Sequence, residues 1–247
     1  MAGTHVIIVG GISVNDPGGH DRFPYNFMNP AVARARKYGS NVLIIIFAPS
    51  YETRVEKQDK EHNSVTYTYS DTCLWGLFSA ESCPALIRSK QRNPRHFLNV
   101  LSKAAGGGKF SVQEIRDKQG LTDKLKNLAS IASIDYFGHS NPEYMFLEYS
   151  VSVSGSGTVT WGDADAAAVP AGKFEAGAGF ISFGCNQGDP KGLAEQLRAR
   201  WRIRTVGSNG KTDFAPIGRG EPQPSSALGY YEYPAAGGPP LKLTAPP

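Results

Sequence analysis

His5-Val6-Ile7-Ile8-Val9-Gly10-Gly11 runs apolar without a break and then stops on two glycines. Such a run is of strand length, and an uninterrupted one belongs to a strand covered on both faces, because a half-exposed strand would alternate apolar and polar residues. Asn41-Val42-Leu43-Ile44-Ile45-Ile46-Phe47-Ala48 repeats the pattern. Between the two, Asn29-Pro30 reads as an N-cap followed by a first-turn proline, and Ala31 to Tyr38 continues as a helix that Gly39 ends. Strand, helix and strand at this spacing make a right-handed βαβ unit with parallel strands. The chain is therefore expected to be α/β with a mostly parallel sheet.

The grammar recurs further along. Ser133-Ile134-Asp135-Tyr136-Phe137-Gly138-His139-Ser140 and Gly179-Phe180-Ile181-Ser182-Phe183-Gly184-Cys185 are each an apolar strand closed by glycine and a chemically able residue. Leu121 to Ile131 carries apolar residues at 121, 125, 128 and 131, a helical spacing that faces a sheet. Ser111-Val112-Gln113-Glu114 is expected to cap a short helix. Arg95 to Ala104, Asp163 to Val169 and Pro190 to Trp201 read as helices, and Val65 to Tyr69 and Arg202 to Val206 as strands. Tyr149 to Trp161 reads as a hairpin at the sheet margin. Gly106-Gly107-Gly108 lacks the Gly-Lys-Ser/Thr sequel of a phosphate loop and reads as a linker. Residues 1–217 are expected to form one α/β domain, and residues 218–247, dense in Pro, Gly, Ser and Tyr, to wrap it as coil.

Composition narrows the function classes. With 247 residues, 40% hydrophobic and 19% charged, the chain is an ordinary globular one that needs no staples. The net charge is only +4, and basic residues are interleaved with acidic ones, as in Arg54-Val55-Glu56-Lys57-Gln58-Asp59-Lys60-Glu61, so nucleic acid and anionic membrane are not expected partners. The longest apolar run is too short to cross a bilayer, so no membrane insertion is expected. Met1-Ala2-Gly3-Thr4-His5 shows neither a basic segment nor a cleavage site, and the expectation is a cytoplasmic protein or one exported without a signal peptide. Cys73, Cys83 and Cys185 are an odd count without CxxC spacing, which argues against a disulfide framework and a structural zinc site; no metal and no cofactor are expected. Cys73 and Cys83 read as small buried hydrophobes.

In open parallel sheets the ligand crevice lies beyond the carboxyl ends of the strands, where loops and helix N-termini converge. His139 and Cys185 both stand at such ends, 46 positions apart (185 minus 139). If their strands are neighbours, the two side chains meet in one crevice. A cysteine just before a helix, with an imidazole close by, is a nucleophile in the making. The backbone N–H groups of Ser140 and Cys185 are candidate oxyanion donors, and Gly138 and Gly184 allow the close approach that such donors need. Asp135, Asn186 and Gln187 are candidate cleft residues, Asp135 as an orienting group for the imidazole. Asp163 and Asp165 read either as selectors of a basic substrate residue or as helix caps. His20 and the segment Asn209-Gly210-Lys211-Thr212-Asp213 follow strands and stand near the same cleft or serve as plain loops, and Tyr230-Tyr231-Glu232-Tyr233 is a lid or a packing strip.

At these residues the sequence resembles the caspase-like cysteine peptidases of clan CD, which pair an apolar strand ending in His-Gly with a later one ending in Ala-Cys or Gly-Cys. Asp135-Tyr136-Phe137-Gly138-His139-Ser140 and Phe180-Ile181-Ser182-Phe183-Gly184-Cys185 carry the likeness. Cys185-Asn186-Gln187-Gly188 followed by Gly192-Leu193-Ala194-Glu195-Gln196-Leu197 is similar to the segment after the cysteine in bacterial, toxin-associated members. The resemblance implies a three-layer αβα sandwich, a His139–Cys185 dyad, hydrolysis of a protein or peptide substrate, and a place among bacterial effectors or toxins. Ser140 departs from the glycine usual after the histidine. The rival expectations are a non-catalytic module that binds a protein partner through the same cleft and the Pro-rich tail, and a nucleotide-binding protein using Gly10-Gly11, where the GxGxxG pattern is missing. The sequence carries no statement on oligomeric state.

Overall fold

The two apolar runs that open the chain are β1 (Thr4–Val9) and β2 (Val42–Phe47), paired in parallel with Val6 opposite Leu43 and Val9 opposite Ile46. The structure, a computed structural model, describes residues 2–11, 27–50, 66–68, 87–89, 110–149, 159–213, 225–226 and 228–245. Between the two strands runs α1 (Met28–Tyr38). After them come β3 (Thr66–Thr68), β4 (Ile87–Ser89), β5 (Phe110–Ile115) and α2 (Lys118–Asn127). β6 (Ile131–Phe137), β7 (Tyr144–Glu148), β8 (Val159–Gly162), α3 (Asp163–Ala166) and β9 (Phe174–Ser182) follow. The chain continues with α4 (Leu193–Trp201), β10 (Arg204–Ser208), β11 (Thr212–Asp213), β12 (Ser225–Ser226), β13 (Tyr230–Tyr233) and β14 (Leu241–Leu243).

Eight strands form the main sheet in the order β14-β13-β10-β9-β6-β1-β2-β5. From β10 to β5 every pairing is parallel, while β13 and β14 add an antiparallel margin. Side-chain alternation along the strands explains why both faces need cover. Ile7, Val9, Ile44, Ile46, Phe137, Ile181, Phe183 and Val206 join Met28, Ala31, Val32 and Ala35 of α1 in one core. Val6, Ile8, Leu43, Ile45, Ile134, Tyr136 and Phe180 join Leu121 and Leu125 of α2 and Leu193, Leu197 and Trp201 of α4 in the other. Helices thus lie on both faces, and the domain is a three-layer αβα sandwich around a mostly parallel sheet, as expected.

The chain first builds outward from β1 through β2 to β5, then returns to the other side of β1 with β6 and builds outward again through β9 to β10. The direction reverses between β1 and β6, and a crevice at the carboxyl ends there is the usual ligand position of such sheets.

Several local expectations give way. Ser111 to Glu114 is the middle of β5 rather than a helix start, because β2 offers an open edge and Phe110 and Ile115 bury against the sheet. Helix α2 starts instead at Lys118, where the Asp117 side chain accepts from the Gly120 N–H at 2.6 Å. It ends at Asn127, so Ile131 belongs to β6. Helix α1 starts at Met28, one turn-position ahead of the Asn29-Pro30 signal. Helix α4 begins at Leu193 and not Pro190, β9 begins five residues before Gly179 (179 minus 174), and β10 begins at Arg204 rather than Arg202. The hairpin strands are β7 and β8, which pair with each other and not with the main sheet. From Tyr230 the expected coil is replaced by β13 and β14, whose Tyr230 and Tyr233 are buried. Arg95 to Ala104, Gly106 to Gly108, Cys73, Cys83 and His20 lie outside the described residues.

Candidate active site

β6 and β9 are neighbours, and their register decides the site. Asp135 stands opposite Ile181 and Tyr136 opposite Ser182. One step on, the rings of Phe137 and Phe183 stack at 4.5 Å with an interplanar angle of 4°. Counting forward, Gly138 matches Gly184 and His139 matches Cys185, each of the last pair three residues past Tyr136 and Ser182 (139 minus 136, 185 minus 182). Adjacent strands run about 4.8 Å apart, so the register brings the histidine and cysteine loops side by side. Ser140 ties them: its hydroxyl donates to the Cys185 carbonyl at 2.7 Å.

The histidine loop is shaped by Tyr136. This buried side chain reaches along its own strand, and its single O–H proton is shared between the carbonyls of His139 and Phe146, the latter at 2.9 Å. A Cβ at Gly138 would collide with that hydroxyl, and one at Gly184 would collide with the Ser140 hydroxyl. Glycine is needed at both places for space. The loop returns antiparallel, with Ser140 bridged to Met145 and the Phe146 N–H donating to the His139 carbonyl at 2.9 Å. The His139 ring is half-buried between the edge of Phe27, at 5.1 Å, and Tyr149, at 5.0 Å.

Cys185 carries a free, half-buried thiol. The expectation of a helix directly after it is corrected: residues 186–192 are turns and α4 starts at Leu193, so the helix N-terminus is not at the sulfur. A loop N–H takes that place, the Thr212 N–H donating to Sγ at 3.3 Å. The hydroxyls of Ser208 and Thr212 both donate to the Gly184 carbonyl, the second at 3.2 Å. In a trans peptide the N–H points opposite to the C=O, so a Gly184 carbonyl held by these two hydroxyls turns the Cys185 N–H the other way. Among the described residues, no carbonyl or side chain takes the N–H of Ser140 or of Cys185.

The remaining candidates separate. Asn186 sits in the left-handed region at φ 60°, and its N–H donates to the Gly210 carbonyl at 2.8 Å. Gln187 is not a cleft residue: it is fully buried, accepts from the Ser182 hydroxyl and donates to the Asn141 carbonyl at 3.4 Å, bracing the two loops from beneath. Asp135 does not orient the imidazole. It points from β6 to α1, where Arg34 Nε donates at 3.1 Å and the Tyr38 hydroxyl at 2.5 Å. Burial pushes the Asp135 carboxyl up, against the pull of Arg34 and Tyr38. Burial, with Asp135 next to it, raises the Tyr38 phenol to about 12. Asp163 pairs with Arg200, while Asp165 takes the Gly162 N–H at 3.1 Å and Lys118 at 2.9 Å, which is capping and surface pairing. Tyr230 packs under the site, edge-on to Phe183 at 6.4 Å, as a packing residue.

The segment from Asn209 to Asp213, which reads in sequence as cleft border or plain loop, reaches the site through the Thr212 N–H. Its signal was its place after β10, the strand next to β9, but its chemistry is delivered by a backbone N–H that any residue type supplies.

These features define a class: an α/β protein whose parallel sheet presents an imidazole and a half-buried free thiol on adjoining loops at the carboxyl ends of neighbouring strands. No protein-family model and no curated protein matches the chain. Among solved structures, it is similar to the complex of Porphyromonas gingivalis RgpB pro- and mature domains, with 13% identity over 87% of this chain and a TM-score of 0.32. It is also similar to the Arg-specific cysteine proteinase gingipain R (RgpB), with 12% identity over 88% of this chain and a TM-score of 0.33. The chain spans 66% and 65% of the lengths of those two chains, just under two thirds. No described helix is long and apolar enough to cross a membrane.

Proposed function

We propose that the chain is a caspase-like cysteine endopeptidase with His139 and Cys185 as its catalytic dyad. The observation that supports this reading most is the matched position of the two residues, each three residues beyond an in-register pair on adjacent parallel strands, with Ser140 bonded across to Cys185. The Cys185 thiol gives its proton to His139, Sγ attacks the carbonyl carbon of the scissile bond, and the carbonyl becomes an oxyanion held by the N–H groups of Ser140 and Cys185. His139 gives its proton to the leaving amine as the tetrahedral species collapses to a thioester. It then takes a proton from the water that attacks the thioester, the C–S bond breaks to release the carboxylic acid product, and the proton returns from His139 to the Cys185 sulfur. Gly138 and Gly184 leave the room that the Tyr136 and Ser140 hydroxyls occupy in shaping the two loops. The substrate class is a protein or peptide, and no metal or cofactor takes part in these steps. A role as a bacterial effector or toxin is what the sequence resemblance adds to this activity.

Incubation of the protein with a proteome-derived peptide library, read by mass spectrometry, tests the proposal. The wild-type chain cleaves at defined sites, and Cys185→Ala and His139→Ala each lose cleavage by at least about a thousandfold. Cleavage that persists in Cys185→Ala overturns the reading. The rival is a non-catalytic binding module, favoured by the way the Ser140 side chain fills the space over Gly184. A wild-type chain that cleaves nothing, with a Cys185→Ala form that keeps its full biological effect, selects that rival.

A further inference from the structure

Ser140 brings to the site a side chain as well as a backbone N–H, and that side chain is engaged. Its hydroxyl donates to the carbonyl of Cys185 at 2.7 Å, so a hydrogen bond joins the residue after the imidazole to the residue that carries the sulfur. The other half of the same peptide is also held, because the Asn186 N–H donates to the Gly210 carbonyl at 2.8 Å. The peptide before Cys185 is fixed through the Gly184 carbonyl by Ser208 and Thr212. Asn186 meanwhile adopts φ 60°, a conformation that costs a non-glycine residue and persists where surrounding bonds over-determine it. The histidine loop reaches the nucleophile segment at two further points, where Gln187 donates to the Asn141 carbonyl at 3.4 Å and the Leu193 N–H donates to the Pro142 carbonyl at 2.6 Å, but the Ser140 bond is the tie that ends on Cys185 itself. The absent side chain at Gly184 leaves the space that the Ser140 hydroxyl occupies.

We infer that the Ser140 hydroxyl is a positioning group that latches the imidazole loop to the nucleophile loop and so sets the spacing of His139 and Cys185. This rests on the dyad proposed above and adds a role for a side chain that touches neither substrate nor the reacting atoms. The β6–β9 register ends at Tyr136 and Ser182; the ties from Asn141 and Pro142 lie further along the loop, and the latch is the bond between the residue next to His139 and Cys185 itself. Small misplacements of reacting groups cost far more rate than stability.

The test compares wild type, Ser140→Ala, Ser140→Thr and His139→Ala, all as the full chain. Ser140→Ala keeps the backbone N–H and removes the donor; Ser140→Thr keeps a hydroxyl. The first readout is the pH profile of iodoacetamide alkylation at Cys185, located by mass spectrometry, which needs no substrate. The second is kcat and KM on a cleaved peptide, with thermal melting alongside. The latch predicts that Ser140→Ala melts within a few degrees of wild type and that its alkylation profile moves toward that of His139→Ala. It predicts a kcat lower by about tenfold to a hundredfold with KM changed less than about threefold, and recovery in Ser140→Thr. An alkylation profile for Ser140→Ala that overlays wild type, while His139→Ala differs, overturns the latch and leaves the dyad standing. Identical profiles for wild type and His139→Ala overturn the dyad and the latch with it. Loss in Ser140→Ala that follows melting, or that falls equally on kcat/KM through KM, also overturns the latch.

Discussion

His5 shows how much of the behaviour of single residues depends on partners far along the chain. Its ring stacks on Tyr38 at 4.0 Å and its Nδ1 meets the Ser133 hydroxyl at 2.8 Å. Burial lowers its basicity from 6.5, with Arg34 acting in the same sense and Asp135 and Glu175 against it. The unfolded chain therefore binds a proton at His5 before the folded one does. The stability held above pH 6.5 is lost as pH falls from there through the lowered value. Urea unfolding at pH 7.5 and at pH 5.5 measures this: His5→Gln is expected to lose less stability between the two than wild type, and an equal loss in both refutes it. The same dependence explains which site residues could be read from the sequence. His139 and Cys185 announce themselves because each closes an apolar strand after glycine. The partners of Asp135, Arg34 and Tyr38, stand 101 and 97 positions away, and no local pattern says that this carboxylate turns to a helix instead of the imidazole.

At the scale of elements, the well-read segments are those whose burial leaves a period in the sequence. In α4, Leu193, Leu197 and Trp201 recur every fourth residue and all are buried against the sheet. Leu197→Ala is expected to cost about 2–5 kcal/mol, read as a lower denaturant midpoint with an unchanged slope. A loss below about 0.5 kcal/mol, the range of a surface change, would show that α4 is not part of the core. β5 reads as a helix start because Ser111 and Glu114 imitate a capping box, whereas the open edge of β2 is what decides its conformation. β13 and β14 were misread because Gly and Pro flank short segments whose burial is supplied by β10 and not by their own composition.

For the molecule as a whole, β13 covers the outer edge of β10, and β10 in turn supports the loop that aims the Thr212 N–H at Cys185. A chain shortened after residue 227 strips that edge and removes the buried rings of Tyr230 and Tyr233. It is expected to unfold at a lower temperature and to show faster, less site-selective alkylation of Cys185; unchanged melting and labelling would show that the margin is dispensable. The position of β1 has a further effect, on the order of events during synthesis. This strand is made before the other strands of its sheet, yet of its two sheet neighbours only β2 follows closely, while β6 ends at Phe137. Until that far segment has emerged, one edge of β1 has its backbone N–H and C=O groups without their native neighbour, and nascent chains of intermediate length are the ones that holdase chaperones would have to shelter.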